Sequence, residues 1–166
     1  MKIVALSAAH LDEIAVIEDR LFNRPLEMDA LQRLFDGPAF CGFVMTGDAD
    51  LSSLQSYVLF LNAGPSADLI SIGTVPEFQG AGRGAALMQA AAQNLAAAGV
   101  EEIILEVAVD NMTACRLYSR LGFVEIGRRP GYYAPQNEGL RNKGHHEDRV
   151  DAILMRQNLV DTFSDT

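Results

Sequence analysis

The sequence predicts a single α/β domain built on a mixed sheet. Its 166 residues suit one hydrophobic core rather than two. Apolar residues make up 49% of the chain, enough to fill that core, yet no uninterrupted run approaches the roughly 20 residues of a membrane helix. Two helices and several strands come first, then strand, helix, strand, helix, strand and a closing strand, an order that gives helices packed on a mixed sheet. Residues 1–166 are expected to form that one domain.

Residues 10–22 read as a helix because Leu11, Ile14, Ile17 and Leu21 recur at three- and four-residue spacing. A second helix spans 28–35, separated from the first by Pro25 and ended by Gly37-Pro38. The aromatic and aliphatic runs 40–45 and 56–62 are strands around a polar turn at 47–53. The run 69–72 is another strand and stops before Pro76. A helix over 83–98 is closed by Gly99, a residue suited to the left-handed position after a helix. The near-continuous apolar run 103–109 is a buried strand. Asp110 or Asn111 can cap the next helix, whose Ala114, Leu117, Tyr118 and Leu121 share one face until Gly122 ends it. Residues 123–126 and 152–155 are the last strands, with 128–149 a long loop between them, of a length usual for functional loops.

Composition narrows the function. The Ala-rich stretch 85–100 is broken by Gln89, Gln93 and Asn94, so it reads as a soluble helix. The first residues lack the apolar core and cleavage site of a signal peptide. Cys41 and Cys115 provide no disulfide framework, which points to a reducing cytoplasm. A net charge of −9 argues against a general nucleic-acid binder, which needs Lys and Arg to neutralise phosphates, and it suits a cationic acceptor such as an amine. No membrane association is expected.

The loop Gln79-Gly80-Ala81-Gly82-Arg83-Gly84 lies between a strand and a helix. A helix start leaves backbone N–H groups unpaired and carries about half a positive charge, so a pyrophosphate finds a site there. Gly82 and Gly84 allow close backbone approach, and Arg83 adds a charge for the phosphates or another part of a ligand. A tight turn with no ligand is the competing reading. No Gly-Lys-Ser/Thr follows, so this is not a Walker A loop, and the glycine spacing departs from the Rossmann fingerprint.

The flanking residues identify the loop. The stretch from Ile70 to Gly84 resembles the acetyl-CoA motif of the GCN5-related N-acetyltransferases (GNAT), Gln/Arg-x-x-Gly-x-Gly/Ala. The likeness continues through Leu105-Glu106-Val107, Asn111, Leu117-Tyr118-x-x-Leu121-Gly122-Phe123 and Arg129-Pro130-Gly131-Tyr132-Tyr133, and Ala152 to Met155 resembles the last strand. The ordered set is similar to the RimI branch, the N-terminal-alanine acetyltransferases of ribosomal proteins. It covers residues 69–133 well and the first third only loosely.

The resemblance implies a GNAT-type fold, a mostly antiparallel central sheet flanked by helices, with acetyl-CoA as cosubstrate. Ile72, Gly73 and Thr74 would pair through backbone with the pantetheine arm. Gln79, Gly80, Ala81, Gly82, Arg83, Gly84 and Ala85 would form the pyrophosphate cradle, and Asn111 would touch the cofactor from the next helix. Glu106 would be the general base and Tyr118 the general acid, while Tyr132 and Tyr133 would wall the acceptor groove. The acceptor is an amine, foremost a protein N-terminus. An α-amine with pKa about 7.7–8.0 loses its proton near pH 7 for about 1 kcal/mol, against nearly 5 for a lysine amine at about 10.4. One carboxylate can therefore serve an α-amine.

The residues also allow blander readings: an ion-paired or solvent-facing strand residue for Glu106, a core ring for Tyr118 and a half-buried loop anchor for the tyrosine pair. Cys115 reads as a small buried hydrophobe rather than a nucleophile, and Arg128 and Arg129 as a solvated or structural pair. His145-His146-Glu147-Asp148 are adjacent rather than spaced around one ion, so no metal is expected. Ala108 replaces an arginine frequent in the branch, Arg24-Pro25-Leu26 replaces Pro-Trp-Ser, and the loop 135–148 is longer than usual. All three departures concern the acceptor side. A small-molecule amine (polyamine, amino acid or aminoglycoside) is the alternative acceptor, and a non-catalytic acyl-CoA-binding module a third reading.

Overall fold

The computed structural model describes residues 1–47, 54–133 and 149–160. Seven strands form one sheet: β1 (Lys2–Ala5), β2 (Phe40–Thr46), β3 (Leu54–Ala63), β4 (Ser66–Thr74), β5 (Glu102–Ala108), β6 (Val124–Tyr133) and β7 (Val150–Asn158). Their order is β1-β2-β3-β4-β5-β7-β6. Neighbours run antiparallel, apart from the parallel pair β4 and β5. Four helices among the described residues cover the two faces: α1 (Leu11–Leu21), α2 (Met28–Phe35), α3 (Arg83–Ala97) and α4 (Met112–Arg120).

Strand alternation sends successive side chains to opposite faces and so builds two cores. On one face, Ile14 and Ile17 of α1 and Leu31 of α2 pack on Val44, Tyr57 and Leu59. On the other, Leu87, Met88, Ala91 and Leu95 of α3 and Tyr118 of α4 pack on Val58, Phe60, Ile103, Leu105 and Met155. Each fully buried leucine contributes about 1.5–3 kcal/mol through the surface it removes from water. The small Ala91 and Ala92 keep α3 close to the sheet.

One core position is charged. Glu18 lies on the buried stripe of α1 at 2% exposure. Its Oε1 accepts from the Tyr57 hydroxyl and from Ser71 Oγ, both at 2.5 Å, and its Oε2 accepts from the backbone N–H of Leu26 at 3.0 Å. The carboxylate thereby ties α1, β3, β4 and the connection to α2 together, and such bonding is what permits a charge to be buried.

The middle of the sheet opens. β4 and β5 pair at Ser66–Glu102, Ala67–Ile103 and Asp68–Ile104 and then part. Where they part, β4 carries one residue more than β3, because the register slips between Leu59–Ser71 and Phe60–Leu69 and leaves Ile70 unmatched. A bulge of this kind bends its strand and raises the local twist. From Leu69 to Thr74 the second edge of β4 pairs with no strand among the described residues.

The expected helices are found within a residue or two, with Gly99 and Gly122 at φ +89° and +86° as their ends require. Asn111 is the cap of α4: its Oδ1 accepts from Ala114 N–H at 3.1 Å. Two expectations need correction. β1 carried no strand signal of its own, being four residues long and held by pairing with β2. The run 128–133, expected as loop, continues β6. Pro130 and Gly131 are tolerated there because β6 is an edge strand whose pairing skips from Arg129 to Tyr133, with Gly131 N–H bonded to Asp151 Oδ1 at 2.9 Å. The rest of the loop, including 135–148 and His145 to Asp148, lies outside the described residues.

Candidate active site

The parting of β4 and β5 leaves a cleft of about 930 Å³ that passes between the two strands. A volume at the upper end of the ligand-site range accommodates a large cofactor together with part of an acceptor. Its first wall is the free edge of β4, where Ile72, Gly73 and Thr74 all line the cleft. Gly73 is required by packing, since an added Cβ would overlap the ring of Tyr57 on the paired strand. A bare backbone at that edge suits an extended ligand lying alongside it as a further strand.

The second wall is the glycine loop. Gly80 and Gly82 adopt φ +75° and +76°, the left-handed conformation that glycine enters without strain. Gly82 is the residue before α3, and that helix start has no side-chain cap. The backbone N–H groups of Arg83, Gly84 and Ala85 are thus left for a ligand, and all three residues line the cleft. The cradle fits a diphosphate on this ground, with the helix dipole adding its positive end. Gln79 braces the loop, donating from Nε2 to the Thr74 carbonyl at 2.9 Å. Ala81 does not line the cleft.

Arg83 behaves differently from the expectation of a phosphate contact. Its Nε donates to Gln55 Oε1 at 2.8 Å, its Nη1 reaches the Phe78 carbonyl at 3.3 Å, and its guanidinium lies 4.7 Å from the centre of the Phe78 ring. The side chain holds the loop to β3, and the residue offers a ligand its backbone N–H. Arg116 and Arg120, exposed and one turn apart on α4, line the cleft as well and are its further cations among the described residues. Their i, i+4 spacing on the face of Thr113 was the available signal.

Glu106 and Tyr118 enter the same cleft from two sides. Leu105 and Val107 point into the α3/α4 core, so alternation turns Glu106 toward the α1/α2 face. Leu21 and Phe22, at the end of α1, line the cleft as well, and Leu21 packs into the core of that face. Tyr118 comes from the opposite face, its ring tilted against Phe123 at 5.6 Å. Burial, then the proximity of Tyr133 and Cys115, pushes its pKa well above the tyrosine range, so the hydroxyl stays protonated.

Tyr133 lines the cleft and its hydroxyl reaches the Glu106 carbonyl at 3.4 Å, a long hydrogen bond. Burial, followed by the Glu106 charge, raises its pKa. Tyr132 is on the rim instead, 46% exposed and edge-on to Tyr133 at 5.1 Å. Arg129 was expected only as a solvated or structural residue, but its Nη2 lies 3.1 Å from Glu106 Oε1. Asn111 reaches the cleft with its oxygen already used as the α4 cap, leaving its amide N–H₂ for a ligand. Cys115 is half-exposed, and its thiol pKa is raised by burial above all. Among the described residues no three His, Cys, Asp or Glu side chains converge as a metal site, and no helix is long and apolar enough to cross a membrane.

Comparison with known proteins agrees with this geometry. Residues 10–123 match the model of the acetyltransferase (GNAT) family. The chain is 31% identical over 119 residues to the [ribosomal protein bS18]-alanine N-acetyltransferase of Escherichia coli strain K12, covering 72% of each protein. It is 36% identical over 70 residues to a mycothiol acetyltransferase of Frankia casuarinae, a match spanning 42% of this chain and 20% of that longer protein. Its fold superposes on the crystal structure of the Escherichia coli ribosomal-protein-S18-alanine N-acetyltransferase with a TM-score of 0.81 at 26% identity, covering 95% of this chain and 93% of that one. The chain belongs to the acetyltransferase (GNAT) family, N-acetyltransferases that take their acetyl group from acetyl-CoA.

Proposed function

We propose that this chain acetylates the N-terminal α-amine of a protein, with Glu106 as general base and Tyr118 as general acid. The observation that carries the reading is the convergence of those two side chains on one cleft whose walls are a free strand edge and an uncapped helix start. Ile72, Gly73 and Thr74 would hold the pantetheine arm, residues Gln79 to Ala85 the diphosphate and Asn111 the cofactor from α4. Tyr133, with Tyr132 at the rim, would face the acceptor.

Bound acetyl-CoA supplies a thioester carbonyl for the amine to attack. Glu106, directly or through one water, takes the proton the nitrogen loses as the N–C bond forms. Tyr118 keeps its hydroxyl proton until negative charge develops on the departing sulfur. It gives that proton up as the C–S bond breaks and regains one from solvent. Its raised pKa keeps the hydroxyl protonated and makes it a weaker acid, so the proton leaves only late, as charge builds on the sulfur. The alignment to the bacterial alanine N-acetyltransferase over 72% of both chains supports a protein N-terminus as acceptor. Free thiols at Cys41 and Cys115 support a cytoplasmic setting.

A small-molecule amine is the second reading, favoured by the shorter match to the mycothiol acetyltransferase. A thiol-release assay with acetyl-CoA, run on Ala-starting peptides and on a panel of polyamines, amino acids and aminoglycosides, separates the two. Turnover on peptides, with the acetyl group on the α-amine, is expected. Turnover on small amines alone overturns the first reading, and binding of acetyl-CoA without turnover on either overturns both.

A further inference from the structure

The Glu106 carboxylate does not face the acceptor side as a lone negative charge. Arg129 Nη2 stands 3.1 Å from its Oε1, and the same guanidinium lies 5.4 Å from the centre of the Tyr132 ring. The carboxylate and the aromatic face together hold the cation at the rim. Tyr133 on β6, and Tyr118 across the cleft on α4, are uncharged at neutral pH, and Arg116 and Arg120 line the same cleft from α4. Asp151 on β7 is engaged by Gly131 N–H.

The charge balance has a consequence for selectivity. A net charge of −9 draws cations, and polycations most. A bare carboxylate in the cleft would hold them. Resting on the reading that Glu106 faces the acceptor, we propose that Arg129 is a specificity-determining residue that excludes polycationic amines. It pairs with the Glu106 charge, so a polyamine or a cluster of lysines gains little from that carboxylate and meets a guanidinium at the entrance. An α-amine carries at most one charge and sheds it readily near its pKa of about 7.7–8.0, so it loses little by the same arrangement. The two partners are 56% and 21% exposed, so the pair adds little to stability and its effect is on which acceptor enters.

The test compares wild type with Arg129→Gln, Arg129→Lys and the control Arg128→Gln, whose guanidinium pairs with Glu125 at 2.7 Å instead. The acceptors are an uncharged Ala-starting peptide and spermidine, each assayed for kcat and KM at low and high salt. Calorimetry of spermidine binding runs in parallel. Arg129→Gln is expected to raise the spermidine-to-peptide ratio of kcat/KM about tenfold, chiefly through spermidine KM, with the gain shrinking at high salt. Spermidine affinity rises in step, Arg129→Lys stays near wild type, and Arg128→Gln leaves the ratio unmoved. An unchanged ratio and unchanged spermidine affinity in Arg129→Gln, or an equal change in Arg128→Gln, overturns the assignment. Failure of wild type to acetylate the peptide overturns the N-terminal reading instead, while the spermidine binding data still decide the role of Arg129.

Discussion

Tyr118 and Glu106 line one cleft from opposite faces of the sheet, the first carried by α4 and the second by β5. Tyr118 is 6% exposed, yet no hydrogen bond ties its hydroxyl to another described residue. Removing that oxygen should therefore leave the fold alone. Tyr118→Phe is expected to lower turnover about 100-fold, as loss of a general acid does, with acetyl-CoA affinity by calorimetry near wild type. The melting temperature should move by less than about 2 °C. A variant that melts much earlier with proportionate loss of activity would mean the ring and its hydroxyl are structural.

Two buried tyrosines make the fold sensitive to alkali. Burial raises the pKa of Tyr57, with the Glu18 charge and hydrogen bond adding to it, and burial likewise raises that of Tyr118. Both groups stay protonated in the fold beyond pH about 10, where the unfolded chain begins to release those protons. Their stabilisation is whole below that pH and declines as pH rises above it, at about 1.4 kcal/mol per pH unit for each tyrosine. In Tyr118→Phe the decline measured by urea denaturation between pH about 10 and 11.5 should be shallower by one proton's worth. An identical slope in the variant would show that Tyr118 ionises as freely in the fold as out of it.

Gly73 sits directly opposite Tyr57 in the β3–β4 pairing, with the tyrosine ring where a Cβ would go. Gly73→Ala must push the ring aside and disturb its bond to Glu18. We expect a loss of about 2–3 kcal/mol in equilibrium denaturation, the usual scale of overpacking. Gly64, in a turn with nothing within 4 Å of an added Cβ, is the comparison for conformational strain alone.

Glu18 should prove structural rather than catalytic. Glu18→Ala leaves the Tyr57 and Ser71 hydroxyls and the Leu26 N–H without their acceptor in a buried site. A loss of about 3–5 kcal/mol follows, comparable to breaking other buried charged networks. Urea denaturation checks it, and a loss below about 1 kcal/mol would mean that water replaces the carboxylate.

What the sequence made legible was local. The strand, glycine loop and helix from Ile70 to Ala97 announce themselves through turn residues and periodicity, as do the Asn111 cap and the glycines that end α3 and α4. What it hid was made by distant pairing. β1 is a strand because β2 lies beside it, and Pro130 is accepted in β6 because the strand is at the edge. The Glu18 cluster joins residues 39 and 53 positions apart, although a glutamate among Ile14, Ile17 and Leu21 on one helical stripe was a visible warning. Arg83 illustrates the same limit, since its charge suggested phosphate while its side chain goes to Gln55, 28 positions earlier. Arg129 was read as one of a solvated or structural pair, and nothing local says that its partner is Glu106 on another strand.

The most direct measurement is single-turnover acetylation of an Ala-starting peptide by wild type and Glu106→Gln, with acetyl-CoA binding followed separately. Glu106 is partly exposed and its carboxylate pairs with Arg129 at the rim, so the amide should be accommodated without harm to the fold. The expected result is acetyl transfer to the α-amine slowed about 100-fold or more in the variant, with acetyl-CoA bound as tightly as before. Transfer at the wild-type rate by Glu106→Gln, with binding intact, would contradict the role of Glu106 as the base.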